Sequence, residues 1–280
     1  MTDAERFAEA RPRLLRLAYS ELGDLGEAED VVQEAWLRLE RVDAQAIENL
    51  DGWLTTVVAR LALDRLRSAR ARRETYVGPW LPEPLGSDDP VDRVTLDESV
   101  SYALLTVLEQ LSPAERTAFV LHDVFDVPFG EVAEVVGRTP EAVRQLASRA
   151  RRHVTREGPR FAASSDEHDR AVRAFAQAIA EGELEGLVAV LDPDVVWTSD
   201  GGGIANAARK PLRGGERVAR AWVALGRKSP HEPTEIRLNG ELGLMLPHRD
   251  GHRSAMSFIV SDGRVVRIDA VRNPEKLRRV

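Results

Sequence analysis

A chain of 280 residues is long enough for two or three compact units, each with a core of its own. With 43% hydrophobic and 30% charged residues, it has no apolar run near the roughly 18 residues that would span a bilayer. Its first residues read as an acidic helix start rather than a signal, so a soluble, cytoplasmic protein is expected. The lack of cysteine excludes disulfides, thiolate zinc sites and a cysteine nucleophile. The net charge of -7 hides a segregation. Residues 21–51 carry ten Asp or Glu against two Arg, and residues 83–98 carry six against Arg93. Residues 60–73 hold six Arg against Asp64, and residues 138–160 hold seven against Glu141 and Glu157. Two basic surfaces beside an acidic surface and an acidic connector suit a protein that touches a polyanion and another protein together.

Residues 1–73 read as helices. Ala28, Val31, Val32, Ala35, Trp36, Leu39 and Val42 fall at helical spacing and form one expected buried stripe. The reverse face carries Asp30, Gln33, Glu34 and Arg41 around a solitary Leu37. A single exposed leucine is ordinary, and one ringed by acids also fits a protein-docking helix; both readings stand. A second helix is apolar from Trp53 to Leu66 and ends in the first arginine cluster, which suits phosphates or, equally, a solvated helix end.

Residues 74–90, with four prolines and two glycines, read as a linker. Within it "WLPEP" places Trp80 and Leu81 on a proline-stiffened strip, where docking is favoured over display. Residues 91–157 are helical again. "LSPAER" offers Ser112 as N-cap, Pro113 at the first position and Glu115 as the capping-box partner of a helix to about Val124. A short helix, a turn at Gly137 and a helix capped by Thr139 follow at helix-turn-helix spacing. Val143, Leu146, Ala147, Ala150 and Val154 share the inner face of that last helix. Arg144, Gln145, Ser148, Arg149, Arg151 and Arg152 share the outer one. The early polar residues suit base edges and the later arginines suit phosphates.

Residues 166–191 form one or two helices, with Ala171, Phe175, Ala178, Ile179 and Leu187 inward. Strand-like segments follow: "VVWTSDGGG", "TEIRL", "ELGLMLP", "RSAMSFIV" and "RVVRIDAV", with hairpin turns at Asn239-Gly240 and Asp262-Gly263. With another helix near 214–227, these make an α+β domain with an antiparallel meander. The stretch "SDGGGIANAARKPLRGG" at 199–215 looks like a phosphate loop but fails on spacing, because Gly203 does not run into a helix with Lys and Ser or Thr at once. Asp200 with Gly201, Gly202 and Gly203 is instead expected to make a tight reversal after a strand.

In that order, "EAEDVVQEAWLRLER", "WLTTVVARLALDRLRSARARRE", an acidic linker and a C-terminal helix-turn-helix resemble a bacterial extracytoplasmic-function (ECF) sigma factor over residues 1–157. "WLPEP", "DGGG" and "NPEKL" (273–277) extend the resemblance to the SigJ-type subgroup with a fused SnoaL-like domain, over the whole chain. The resemblance implies sigma region 2 at 1–74, a Pro-rich linker at 75–99, region 4 at 100–158 and an α+β SnoaL-like (NTF2-like) cone at 159–280. It implies that Asp30, Gln33, Glu34 and Leu37 dock on the clamp helices of the polymerase β′ subunit. The loop 41–50, with Asn49 as a guess for the pocket, then captures a flipped base of the -10 element. Trp53, Arg60, Arg65 and Arg67 support the melted strand, and Arg144, Gln145, Ser148, Arg149 and Arg152 read the -35 element. Core RNA polymerase supplies the catalysis; this chain supplies promoter choice and strand opening, with no reaction or cofactor of its own.

The resemblance further implies that the C-terminal domain is a built-in regulator. Trp80, Leu81, Pro82, Asp200, Gly201, Gly202, Gly203, Asn273 and Pro274 are the expected contacts. The subgroup usually has Lys directly after the glycines; here Ile204 stands there, with Lys210 the nearest ammonium, which puts any charge contact by the loop in doubt. The alternative function is a ligand-sensing or bifunctional protein whose cone binds or converts an unknown small molecule. Its acid–base candidates are Asp200, His231, His248, His252 and Asp269, none with a supporting motif. His248 and His252 flank a flexible turn and would make a poor metal site.

Overall fold

The computed structural model describes residues 2–43, 46–73, 76–86, 101–157, 163–228 and 232–280. These fall into two compact units. One takes in the described residues up to 73 together with 104–157; the other takes in 76–86, 101–103 and 163–280.

In the first unit, α1 (Asp3–Leu22) opens on a Thr2/Glu5 capping box and closes at Gly23, whose φ of 66° is one that glycine adopts without strain. Asp24 caps α2 (Leu25–Leu39), and α3 (Leu50–Arg73) completes a three-helix core around Leu14, Leu17, Leu25, Val31, Leu54 and Leu63. The apolar stripe of α2 is as expected through Leu39, with the Trp36 and Phe7 rings tilted against each other, centroids 5.0 Å apart. Val42 is the exception, at 44% exposure, because the helix ends at Leu39 and the 3.6-residue spacing no longer governs it. After α4 (Tyr102–Leu108), the Ser112/Glu115 capping box opens α5 (Pro113–Phe119). The helix expected to reach Val124 does so as a wider π-helical turn over Val120–Val124. Then α6 (Phe129–Val136), a left-handed Gly137 and α7 (Pro140–Glu157) form the helix-turn-helix, with Val143, Leu146, Ala147 and Ala150 buried.

Within this unit the last turn of α1 meets α5. The Thr117 hydroxyl donates to Glu21 Oε2 at 3.0 Å, and Arg116 Nη2 donates to the Ser20 carbonyl at 3.2 Å while its Nη1 pairs with Glu109. Glu21, counted among the surface acids from sequence, is fully buried, and its Oε1 has no partner. Burial pushes its carboxyl up to about 7, against the pull of Arg116 and the Thr117 hydrogen bond.

The second unit places α8 (Ser165–Glu181), α9 (Leu184–Val190) and α10 (Gly215–Lys228) on a six-stranded sheet. Its strands are β1 (Leu191–Asp200), β2 (Leu212–Arg213), β3 (Thr234–Leu238), β4 (Glu241–Pro247), β5 (Arg253–Ser261) and β6 (Arg264–Val271), in the order β2-β1-β6-β5-β4-β3. β3 to β6 form the expected meander, turning at Asn239 (φ 49°) and Asp262 (φ 50°). β1 departs from that expectation: it pairs parallel with β6, a register that α10 and the intervening strands make reachable. Phe175, Leu187, Trp222, Phe258 and Ile268 fill the core beneath the helices. The opposite face carries a smaller cluster of Leu81, Tyr102, Leu238, Met245, Val271 and Leu277. The α+β architecture is the one the sequence resemblance implies.

Because the folded Glu21 binds a proton more tightly than the unfolded chain does, its burial costs least below pH 4.5, and stability is lost as the pH rises through about 7. Between pH 6 and 8.5 the full chain should lose about 1 kcal/mol from this group, and Glu21→Gln should remove that part of the loss. Thermal unfolding of both proteins at the two pH values checks it; equal losses in the two would sink the assignment.

Candidate functional site

Two helical faces and one buried clamp carry the chemistry. On α2, Asp30, Gln33, Glu34 and Leu37 lie together on the outer side, and Leu37 is 38% exposed. Glu34 pairs with Arg38 at 3.1 Å and Asp30 with Arg65 of α3 at 3.2 Å. Thus one expected polymerase contact and one expected DNA contact hold each other. Exposed pairs of this kind contribute little and exchange partners readily.

On α3, Asn49 has a local task that the sequence reading missed: its Oδ1 accepts the Gly52 N–H at 3.1 Å and caps the helix. Trp53 is half-buried, Arg67 pairs with Asp64, and Arg60 donates to the Glu134 carbonyl of α6 at 3.2 Å. On α7, Arg144, Gln145, Ser148, Arg149 and Arg152 all lie on the exposed side. Arg144 sits 5.4 Å from the Phe129 ring centroid and near Glu141, Arg149 pairs with Glu115 at 2.9 Å, and Arg151 pairs with Asp123. Acids from α5 and the π-helical turn therefore meet two of these arginines, although the sequence had placed few acids nearby.

The clamp centres on Asp200, the last residue of β1, which is wholly buried. Oδ1 accepts the Tyr76 hydroxyl at 2.7 Å and the Gly202 N–H at 3.0 Å; Oδ2 accepts the Leu81 N–H at 3.0 Å and Lys276 Nζ at 2.7 Å. Lys276 is 6% exposed, also donates to the Leu81 carbonyl, and lies 3.9 Å from the centroid of the half-buried Trp80 ring. An ammonium held between a carboxylate and an indole keeps its charge out of water with both faces compensated. Burial and the Asp200 charge push the Tyr76 hydroxyl far up, so it stays a donor. Asn273 Nδ2 donates to the Tyr76 oxygen at 3.1 Å, while Asn273 Oδ1 caps a 3₁₀ turn, Pro274–Leu277, that carries Lys276. Leu81 inserts its side chain into the cluster on this face, and the Pro82 carbonyl accepts the Tyr102 hydroxyl at 3.0 Å. Farther along the strip, Leu85 and Asn239 exchange hydrogen bonds of 3.0 and 2.8 Å, and Gly86 bridges to Leu238 at the sheet edge.

All nine expected regulatory residues therefore gather at or beside one site. Lys276 and Tyr76 were missed. The signal for Lys276 was its place in "NPEKL", three residues after Asn273, and its ammonium meets Asp200. The glycines are explained by contact as well as by conformation. A Cβ on Gly201 would lie 2.2 Å from the Ala205 carbonyl oxygen, and one on Gly202, at φ +62°, would lie 2.4 Å from Asn273 Nδ2.

The acid–base candidates are scattered. Asp200 is occupied by the clamp. Burial raises Asp269, against the pull of Arg267 at 2.7 Å. His248 Nε2 is 2.6 Å from Ser254 Oγ, the His252 N–H donates to Asp250, and His231 lies outside the described residues. Among the described residues no three His, Cys, Asp or Glu side chains group as metal ligands, and no helix is long and apolar enough to cross a membrane.

Gly202→Ala should destabilise the second unit by ~1–3 kcal/mol and speed amide exchange at Leu81, because the new Cβ displaces Asn273 as well as straining the turn. Gly263→Ala, with φ 70° and its nearest neighbour at 3.8 Å, should strain a turn and leave Leu81 exchange unchanged. Hydrogen exchange on the two variants decides between clamp and turn.

Comparison with known proteins fits this geometry. The family models described as Sigma-70 region 2 and Sigma-70, region 4 match residues 7–72 and 101–154. The ECF RNA polymerase sigma factor SigJ of Mycobacterium tuberculosis is 43% identical over 98% of this chain and 93% of its own. The probable ECF RNA polymerase sigma factor SigI of the same species is 44% identical over 68% of this chain and 67% of its own. The crystal structure of Mycobacterium tuberculosis SigJ superposes with a TM-score of 0.81 at 39% identity, covering 98% of both chains. With sigma regions 2 and 4 in order and an α+β domain behind them, the chain belongs to the SigJ group of ECF RNA polymerase sigma factors, transcription initiation factors that work with core RNA polymerase on promoter DNA.

Proposed function

We propose that this chain selects promoters through α3 and α7, docks on the β′ clamp helices through Asp30, Gln33, Glu34 and Leu37, and regulates itself through the Asp200 clamp. The observation that carries the reading is that the clamp grips the connector itself. Residues 76–86 belong to the stretch that joins region 2 to region 4, and the C-terminal domain holds them by buried charge and by Leu81.

Length makes that grip consequential. Elements at -10 and -35 are about 25 base pairs apart, or about 85 Å of duplex at ~3.4 Å per pair. The 28 residues between α3 and α4 reach at most about 95 Å when fully extended. A connector with so little slack is constrained wherever it is gripped, so whatever fixes residues 76–86 governs its path. The contact of Glu21 and Ser20 with Thr117 and Arg116 must also open, because residues 3 Å apart cannot stay together while their regions sit on two such elements. The first unit is therefore the closed form, and polymerase, by taking the α2 face, favours the open one.

Leu37→Asp should lower promoter-specific transcription with core polymerase at least tenfold with little change in the thermal stability of the free protein, because Leu37 is exposed. Arg144→Ala should weaken use of promoters according to their -35 sequence. In the full chain, Trp80→Ala removes the indole from Lys276 and should change promoter output by several fold with regions 2 and 4 still folded. Transcripts mapped with each variant check these outcomes, and unaltered output from Trp80→Ala would sink the regulatory reading.

A further inference from the structure

On the helical side of the sheet the second unit holds a second site with its own character. A cavity of about 470 Å³ opens against α10, β1 and β6, a size typical of small-molecule sites. Trp197 and Trp222, with ring centroids 4.7 Å apart, Leu212 and Leu225 give it apolar walls. Lys210 and Arg272 also line it, and no lining residue is a carboxylate. Lys210 has no carboxylate partner among the described residues; Arg272 meets Asp250 through Nη2 and the Asn206 carbonyl through Nη1. The buried polar atoms left without partners on these lining residues are all donors: Trp197 Nε1, Trp222 Nε1 and Arg272 Nε. The potential acceptors are already engaged in one case, since His248 Nε2 and Ser254 Oγ hold each other. An apolar slot lined by a lysine with no carboxylate partner among the described residues is complementary to a flat apolar body that carries an anionic end.

We propose that this cavity binds an apolar aromatic carboxylate and that its occupancy alters the Asp200 clamp. The coupling half rests on the clamp reading above; the binding half stands without it. The path is one residue long at the end of β1 and one residue long just beyond β6. Ser199 faces the cavity and Asp200 faces the linker; Arg272 lines the cavity and Asn273 holds Tyr76. The Asp200 carbonyl accepts both the Arg272 and Asn273 N–H groups, at 2.7 and 2.9 Å. Asn206, Ala207 and Ala208, on the loop that begins at the glycines, form part of the cavity wall. A ligand that shifts Arg272 or this loop therefore shifts the groups that hold residues 76–81, and by reciprocity a released linker changes the affinity for the ligand.

The probe is 2-naphthoate, with 2-naphthalenemethanol as its uncharged counterpart, titrated by calorimetry into the full chain. Naphthoate should saturate at one site per chain, and the alcohol should bind at least tenfold more weakly. Lys210→Glu and Ala224→Phe, both at exposed positions of the wall, should each weaken naphthoate at least tenfold with unchanged thermal stability of the free protein. Amide exchange at Leu81 should change at least threefold on saturation, and Trp80→Ala should shift the naphthoate affinity in the direction that the exchange result dictates. Absence of saturation, equal binding of the alcohol, or binding indifferent to both variants overturns the site. Binding without any change at Leu81 overturns the coupling. Neither result touches the clamp reading itself, which stands or falls on ligand-free transcription by Trp80→Ala.

Discussion

A carboxylate with no exposure to water must be surrounded by donors, and at Asp200 those donors come from parts of the chain that nothing else brings together. Tyr76 and Leu81 arrive from the connector, Lys276 from the 3₁₀ turn and Gly202 from the loop behind β1. Removing one partner of such a group leaves the rest buried and unmatched, at a cost of several kcal/mol. The docking of Leu81, the stacking of Lys276 on Trp80 and the glycine turn with no room for Cβ atoms all follow from building that shell. A polar knot of this kind is specific in a way that an apolar patch is not, because it tolerates one geometry only.

The first unit resolves its own buried carboxylate differently. Glu21 meets a hydroxyl, and Arg116 is largely committed to Glu109 and the Ser20 carbonyl. Burial then wins and pushes the carboxyl up to about 7, so the group is half-titrated at neutral pH where Asp200 is matched to a lysine. A contact that rests on a half-titrated acid is easier to open than one closed by an ion pair. The junction of regions 2 and 4 thus closes on a weakly matched acid, and the linker clamp on a fully matched one. The basic faces are in a similar state of readiness, since Arg65, Arg67, Arg144 and Arg149 have acidic partners at exposed positions. Phosphates can replace such partners at little cost.

Much of this was legible in the chain order of residues. Capping boxes at Thr2 and Ser112, a left-handed glycine at 137, and hairpin turns at Asn239 and Asp262 are local chemistry, so the spacing of Ser, Pro, Glu and Gly announces them directly. The outer residues of α2 and α7 follow from the 3.6-residue period once the helices are granted. Expectations failed where a local rule met a boundary or a distant partner. Val42 kept the period past the end of its helix, and β1 joined β6 in parallel across sixty-odd residues of intervening chain.

The sequence by itself determined the modular order, the two basic helices, the outer face of α2 and the motifs "WLPEP", "DGGG" and "NPEKL", because periodicity, capping and charge runs act over a few residues at a time. Only the tertiary structure decided where those motifs meet. Lys276 lies 76 residues from Asp200, and Tyr76 lies 124 residues before it, so no local rule could pair them. Their meeting depends on the parallel pairing of β1 with β6, which sets Asp200 beside Val271 and delivers Asn273 and Lys276 to the same edge. Burial does the rest: once that edge is closed from water, the carboxylate must take whatever donors the fold brings to it.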